Sequence, residues 1–94
     1  MPDSFRVVVS PQFERDSRKL VRRRPKLLDE VDEIITILAK DPYNTSRQFK
    51  IKKLTAVSAG EGQWRIRFGD YRIRYDIFGQ EVILHSFRIR AKAY

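Results

Sequence analysis

The sequence predicts one α+β domain over residues 1–94: an N-terminal strand, a helical hairpin, then a mainly antiparallel sheet of about four strands with the helices on one face. Three observations predict it. A short β-branched run occupies residues 5–9, apolar residues recur at helical spacing over residues 11–40, and strict alternation begins at Trp64. A chain of 94 residues has room for one small hydrophobic core and therefore for one compact domain.

The first strand and first helix follow from local sequence signals. Residues 5–9 read Phe-Arg-Val-Val-Val, which is typical of a strand. Ser10 is a candidate N-cap and Pro11 suits the first helical position, so we expect a helix over residues 11–23. Pro25 ends it, because a residue that precedes proline avoids the helical region.

The second helix begins near Pro25 or Lys26 and ends at Asp41-Pro42. Its predicted apolar stripe comprises Leu27, Leu28, Val31, Ile34, Ile35 and Leu38. Acidic residues occupy its early turns, where the helix dipole favours negative charge. With almost no connecting sequence, the two helices should form a hairpin.

The second half of the chain predicts strands separated by glycine turns. Residues 49–54 are a short strand or an extended segment, and the glycine-rich residues 56–62 are a loop. The predicted strands that follow are Trp64–Phe68, Tyr71–Ile77 and Val82–Ile89, with Gly69-Asp70 as a two-residue turn between the first two.

An aromatic residue precedes Arg-Ile-Arg three times, starting at Trp64, Tyr71 and Phe87. Because side chains alternate along a strand, the aromatic and isoleucine residues can face the helices while the arginines face away. The arginines are Arg65, Arg67, Arg72, Arg74, Arg88 and Arg90.

The Gly69-Asp70 turn places arginine opposite arginine. It pairs Arg67 with Arg72 and Arg65 with Arg74, although like charges across a strand pair destabilise a sheet. Asp76 is the nearby acid that could offset the repulsion. A local rule broken in this way favours a functional surface over a merely solvated one.

The register of the last strand is ambiguous by one residue. Val82 and Leu84 would share the face of Arg88, which conflicts with a core position for both apolar residues. His85, the single histidine, has the alternation phase of Ile83 and Phe87. This phase favours a core or sheet-edge histidine over a catalytic one.

The charge distribution indicates a polyanionic partner. The net charge is +8; residues 1–46 contain 9 basic and 8 acidic side chains, whereas residues 47–94 contain 11 and 4. Arginines bind phosphates through two parallel hydrogen bonds and keep their charge, so an arginine-bearing sheet suits single-stranded nucleic acid better than a membrane surface. Arg22, Arg23 and Arg24 are interpreted as a solvated turn, with a secondary contact as the alternative.

Composition excludes several classes of protein and site. Without cysteine there is no disulfide scaffold, thiolate zinc site or cysteine nucleophile. No paired histidines, catalytic triad spacing or phosphate-binding glycine loop is present, and the acids at residues 29–33 are interpreted as a solvated helix face, so we expect no metal and no cofactor. No apolar run approaches a membrane span and no signal peptide is evident, so we expect a cytoplasmic protein.

These residues together resemble the RelE/ParE superfamily of bacterial toxins. The resemblance runs through Phe5-x-Val7-x-x-Ser10-x-x-Phe13, the helical hairpin, Lys52-Lys53-Leu54, Trp64-Arg65-Ile66-Arg67-x-Gly69-Asp70-Tyr71-Arg72-Ile73-x-Tyr75 and Arg90-x-Lys92-x-Tyr94. It implies a small basic α+β toxin encoded beside an antitoxin. RelE-type members cut mRNA in the ribosomal A site without a metal, whereas ParE-type members poison DNA gyrase.

The resemblance also implies site residues. The central arginine of the family corresponds to Arg72 and the C-terminal basic residue to Arg88, with Arg90 as the alternative. Tyr94 corresponds to the terminal tyrosine that stacks on a base. Two lysines of the family fall on Arg65 and Arg67 of this sequence. The catalytic candidates are therefore Arg65, Arg67, Arg72, Arg88 and Tyr94.

Arginine is a poor proton carrier, so proton transfer needs another group. The candidates are Lys50, Lys52 or Lys53, or groups that the ribosome supplies; Glu61 and His85 are the nearest counterparts of the acid–base pair of some family members. The expected nucleic-acid-binding residues are Lys50, Lys52, Lys53, Arg74, Arg90 and Lys92.

The function that the resemblance implies is a metal-independent, ribosome-dependent mRNA endoribonuclease that inhibits translation. The alternatives are a ParE-type inhibitor of DNA gyrase and a non-enzymatic basic nucleic-acid-binding module. The expected partners are a cognate antitoxin, which would wrap the helical hairpin and approach the sheet, and mRNA on the ribosome.

Overall fold

A five-stranded sheet with two helices forms the protein in a computed structural model that describes residues 4–90. The elements are β1 (Arg6–Val9), α1 (Pro11–Arg23), α2 (Leu27–Lys40), β2 (Ile51–Lys53), β3 (Trp64–Phe68), β4 (Tyr71–Phe78) and β5 (Glu81–Ile89). The strand order is β1-β5-β4-β3-β2; β1 runs parallel to β5 and the other pairs are antiparallel. The predicted fold class is confirmed.

Both helices begin and end near the predicted boundaries. The Ser10 hydroxyl accepts the Phe13 N–H at 3.0 Å, which satisfies one of the unpaired donors of the first turn of α1. The same hydroxyl donates to the His85 carbonyl at 2.9 Å and so ties the start of α1 to β5. The second helix begins at Leu27, two residues after Pro25, and is capped by Asp41.

The core lies between the helices and one face of the sheet. Its buried apolar residues are Phe13, Leu27, Val31, Ile34, Leu38, Ile66, Ile73, Tyr75, Val82, Leu84 and Phe87. The Phe13 ring stacks on that of Phe87 with centroids 5.6 Å apart, which joins α1 to β5. One predicted core position is wrong: the Leu28 side chain lies outside the core and is 52% exposed. In helical geometry Leu28 lies at the edge of the apolar stripe, and α1 does not cover it.

A β-bulge resolves the ambiguous register of the last strand. Arg74 pairs with Ser86 but Tyr75 pairs with Leu84, so His85 is the extra residue on β5. Before the bulge Val82 and Leu84 are buried, and after it Phe87 is buried. The shift by one residue lets all three apolar side chains enter the core. The predicted shared phase of His85 and Phe87 is therefore wrong, because the bulge separates them.

Two polar contacts hold the segment that follows α2. The Tyr75 hydroxyl donates to the buried Pro42 carbonyl at 2.7 Å, and burial, with the charge of Asp41 adding, raises the pKa of this hydroxyl. Burial alone would raise the pKa of Asp41, but hydrogen bonds from Ser46 and Thr45 outweigh it and the pKa is lowered.

Within residues 4–90, no helix is long and apolar enough to cross a membrane.

Candidate nucleic-acid interface

Two rows of cations cross the sheet. In the first, Arg72 pairs with Arg67 on one side and with Arg88 on the other, so three arginines lie side by side on adjacent strands. The Arg67 N–H donates to the Lys50 carbonyl at 3.0 Å, which places a fourth basic residue at the end of this row. The predicted pairing across the Gly69-Asp70 turn is confirmed. Because Ile66 and Ile73, the intervening residues, are buried in the core, the arginines occupy the opposite face.

The second row lies two residues further along the strands. Lys52 pairs with Arg65, Arg65 with Arg74, and Arg74 with Ser86. Arg65 and Arg72 are half-buried, whereas Arg67 on β3 and Arg88 on β5 are exposed. We call the two rows the arginine face, comprising Lys50, Lys52, Arg65, Arg67, Arg72, Arg74 and Arg88. Seven cations on one face of three to four strands create a strongly positive local potential.

Among the other predicted site residues, Lys53 lies apart from this face and Arg90 follows the last strand. Lys53 pairs with Trp64, and its ammonium nitrogen lies 5.7 Å from the centre of the Trp64 ring. It therefore follows the alternation phase of the core side chains. Arg90 is exposed beyond the end of β5, where its N–H donates to the Asp70 carbonyl beside the β3–β4 turn. Lys92 and Tyr94 lie outside the described residues.

A clamped loop forms one wall of the arginine face. The Arg74 guanidinium donates to the Gly62 carbonyl at 2.9 Å and to the Glu61 carbonyl at 2.8 Å. The Asp76 carboxylate accepts the backbone N–H groups of Gly60, Gly62 and Gln63 at 2.9–3.0 Å. Two side chains of β4 thus hold the carbonyls and the amides of the same loop.

The clamp changes the interpretation of two predicted residues. Asp76 is buried and its carboxylate binds the loop amides, a structural role that the sequence did not indicate. Arg74, predicted as a nucleic-acid contact, donates to the loop carbonyls and has a structural role as well.

His85 and Glu61 lie at the end of the arginine face that the clamped loop borders. A Cβ on Gly62 would lie 2.9 Å from that of Arg74 and 3.4 Å from that of His85, so both side chains border the same loop. The His85 side chain is half-buried, and its Nδ1 atom has no hydrogen-bond partner among residues 4–90. Glu61 is exposed in the loop itself. Their proximity depends on the bulge and the clamp, which sequence spacing did not reveal.

Asp16 on α1 is a site residue that the sequence reasoning missed. One of its carboxylate oxygens accepts the Phe87 N–H at 3.0 Å and forms an ion pair with the Arg88 guanidinium. The other accepts from the Gln12 amide at 2.8 Å. Asp16 thus fixes the edge of β5 where β1 has ended, and it binds the arginine at the end of the first row. The available signal was its position as a lone acid in a basic stretch, residues 15–26.

Acidic clusters offer no second type of site in the described part of the chain. Among residues 4–90, no three His, Asp or Glu side chains lie close enough together to hold a metal ion. The face instead offers guanidinium and ammonium donors, which bind phosphate oxygens by charge-assisted hydrogen bonds.

Solved structures of toxin–antitoxin proteins share this fold. A chain of the RelBE2 toxin-antitoxin complex from Mycobacterium tuberculosis superposes with a TM-score of 0.72 at 24% identity, covering 93% of this chain and 99% of that chain. The Escherichia coli DinJ-YafQ complex contains a chain with a TM-score of 0.72 at 16% identity, with 97% and 98% covered. The archaeal RelE-RelB complex from Pyrococcus horikoshii OT3 gives 0.68 at 22% identity, with 95% and 98% covered.

The family assignment rests on the sequence match. No curated protein sequence matches the chain. A family model described as the ParE toxin of type II toxin-antitoxin systems, parDE, matches residues 7–94, which is nearly the whole chain. The chain therefore belongs to this family of type II toxin–antitoxin toxins, within the RelE/ParE superfamily.

Proposed function

We propose that this toxin is a ribosome-dependent mRNA endoribonuclease that needs no metal ion. The observation that carries the proposal is the first row of the arginine face, in which Arg67, Arg72 and Arg88 lie on adjacent strands beside Lys50. A row of guanidinium groups matches the phosphates of an extended RNA strand. A sheet under selection for stability alone would not pair arginine with arginine three times, as in Arg65–Arg74, Arg67–Arg72 and Arg72–Arg88.

The reaction uses the RNA as its own nucleophile. The ribose 2′-oxygen attacks the adjacent phosphorus, the bond to the 5′-oxygen breaks, and a 2′,3′-cyclic phosphate and a 5′-hydroxyl result. The 2′-hydroxyl loses one proton and the leaving 5′-oxygen gains one. Arg72, at the centre of its row, would stabilise the negative charge of the pentavalent phosphorane, with Arg67 and Arg88 binding flanking phosphate oxygens.

Proton transfer falls to groups at the ends of the rows. Lys50 and Lys52 lie next to Arg67 and Arg65, whereas Lys53 contacts Trp64 instead, which favours the first two lysines as proton carriers. A lysine ammonium releases a proton far more readily than a guanidinium. His85 beside Arg74 is the second candidate, because imidazole changes charge near neutral pH.

An antitoxin partner is proposed for the opposite side of the molecule. Six of the eleven residues that line the groove between α1 and α2 are apolar, and two of them, Leu28 and Val9, are 52% and 38% exposed. An amphipathic antitoxin segment would cover this apolar surface, and an acidic extension would approach the arginine face. Two of the structural relatives described above, RelBE2 and DinJ-YafQ, are named as toxin-antitoxin complexes.

Arg72→Ala tests the proposal. We expect transcripts mapped by primer extension after induction to show ribosome-dependent cleavage with the original chain. Cleavage should be about 10²- to 10³-fold slower with Arg72→Ala, because one transition-state donor is removed. Arg15→Ala, which removes an exposed arginine of α1 outside the arginine face, is the matched control. Unchanged cleavage by a folded Arg72→Ala variant contradicts the proposal.

Gyrase inhibition is the second candidate, because the matching family model is named for ParE. It predicts DNA-damage signalling with intact transcripts after induction. A chain that only binds nucleic acid predicts neither, and its expression alone would not arrest growth.

A further inference from the structure

A second basic surface lies on α1, away from the arginine face. Lys19, Arg22 and Arg23 are exposed and spaced i, i+3 and i+4, so their side chains share one side of the helix. They border a groove of about 570 Å³ between α1 and the end of β5. The remaining lining residues are Gln12, Asp16, Leu20, Phe87, Arg88 and Ile89. Four basic groups and one acid therefore border this α1–β5 groove.

The three consecutive arginines before Pro25 divide into two roles. Arg24 forms an ion pair with Glu30 at 2.8 Å, and its guanidinium lies 5.8 Å from the centre of the Tyr71 ring. It therefore joins the helical turn to the sheet. Arg22 and Arg23 line the α1–β5 groove instead, and Arg22 also borders the groove between α1 and α2.

Arg88 joins the groove to the arginine face. It is the end of the first row, through its pairing with Arg72, and it also lines the α1–β5 groove. Positive charge thus continues from the sheet around the edge of β5 to α1. We propose that this groove binds the sugar–phosphate backbone of a single-stranded RNA segment that continues beyond the segment on the arginine face. The inference rests on the proposed RNA substrate and extends its path.

The apolar residues of the α1–β5 groove are too buried to anchor a peptide, which favours RNA over an acidic peptide as the ligand. Phe87 is only 1% exposed, and Leu20 and Ile89 are half-buried. An amphipathic peptide helix needs exposed apolar anchors, which the α1–α2 groove offers at Leu28. The α1–β5 groove offers mainly charge, which suits a polyanion whose affinity depends on phosphate contacts.

Asp16 is the opposing charge in the groove. Its carboxylate binds Arg88 and therefore competes with an RNA phosphate for that guanidinium. Asn at this position would keep an oxygen acceptor for the Phe87 N–H while removing the charge. Asp16→Asn should consequently strengthen RNA binding, an effect that a merely structural role for Asp16 would not produce.

The test measures the affinity of the full chain for a U12 single-stranded RNA as a function of salt. The groove variant combines Lys19→Gln, Arg22→Gln and Arg23→Gln. The slope of log K against log salt is negative, and each lost phosphate contact reduces its magnitude by about 0.7, so we expect the groove variant to reduce the magnitude by about 2. The control variant, Arg18→Gln with Lys26→Gln and Lys40→Gln, removes the same charge from exposed positions on or beside the helices, outside the α1–β5 groove. Its slope should stay close to that of the original chain. Asp16→Asn should make the slope steeper, with a magnitude larger by about 0.7.

Each contrary result has a distinct meaning. Equal slopes for the groove and control variants would show that only net charge matters, which overturns the proposal. If the groove variant lost binding to a poly-glutamate peptide but kept its binding to RNA, the groove would be a peptide site, and the proposal would also be overturned. None of these binding results decides the proposed function. Transcript cleavage, which depends on Arg72, tests it separately.

Discussion

Gly62→Ala should destabilise the clamped loop more than alanine at any other described glycine. Gly62 has a φ of +78°, and the added Cβ would lie 2.9 Å from the Arg74 Cβ and 3.1 Å from its Nε. Gly69 has a φ of +56°, and its Cβ would meet nothing within 4 Å. The two substitutions share the backbone strain but differ in the close contact, so Gly69→Ala is the matched control.

The magnitude follows from the contacts of the loop. A left-handed backbone costs a non-glycine residue about 1–2 kcal/mol, and both variants incur this cost. To relieve the contact at Gly62, the loop must move away from β4 and lengthen its bonds to Asp76 or Arg74. One lost hydrogen bond to a charged group costs about 1.5–3 kcal/mol. We therefore expect about 3 kcal/mol or more for Gly62→Ala and about 1–2 kcal/mol for Gly69→Ala.

Thermal and urea unfolding measure this difference. In a domain of this size 1 kcal/mol corresponds to about 4–8 °C in Tm, so Gly62→Ala should lower Tm by at least about 12 °C. An equal loss of stability in the two variants would refute the reasoning, because it would mean that the loop is not held against β4.

Three further predictions concern the core and the segment after α2. Tyr75→Phe removes the 2.7 Å bond to the Pro42 carbonyl and should cost about 1–3 kcal/mol in urea unfolding, because that carbonyl is left buried; an unchanged midpoint would contradict the contact. Leu27→Ala, at 0% exposure, should cost about 2–5 kcal/mol, whereas Leu28→Ala, at 52%, should cost well under 1 kcal/mol; equal losses would place both leucines in the core. The lowered pKa of Asp41 stabilises the fold above its ordinary value of 3.8, and this contribution is lost as pH falls through the lower folded value. Stability measured from about pH 2 to pH 6 should therefore fall less steeply on the acid side in Asp41→Ala than in the original chain.

Periodicity predicted the elements well because each depends on neighbouring residues. Ser10 and Pro11 fixed the start of α1, and the two-residue turn at Gly69-Asp70 fixed which arginines face each other. The β-bulge was beyond such reasoning. Strict alternation along β5 would place Leu84 and Phe87 on opposite faces of the sheet, although both are core residues. Only the fit of both side chains to the helices decides where the extra residue lies.

The site divides in the same way. Alternation and the turn sufficed to place the arginines on one face, but they could not assign a partner to each arginine. Arg74 meets a loop 12 residues away, and Arg88 meets a carboxylate 72 residues away. Such contacts depend on how α1 and the β2–β3 connection pack against the sheet.

The sequence by itself determined the fold class, the helix boundaries and the phase of the cations, since these follow from periods of 3.6 and 2 residues. Only the tertiary structure decided what those cations do. It assigned Arg74 to a loop, Arg24 to Tyr71 and Glu30, and Arg88 to the boundary between two basic surfaces. The physical reason is that hydrogen bonds and ion pairs act over a few ångströms, and chain folding alone brings distant residues within that range.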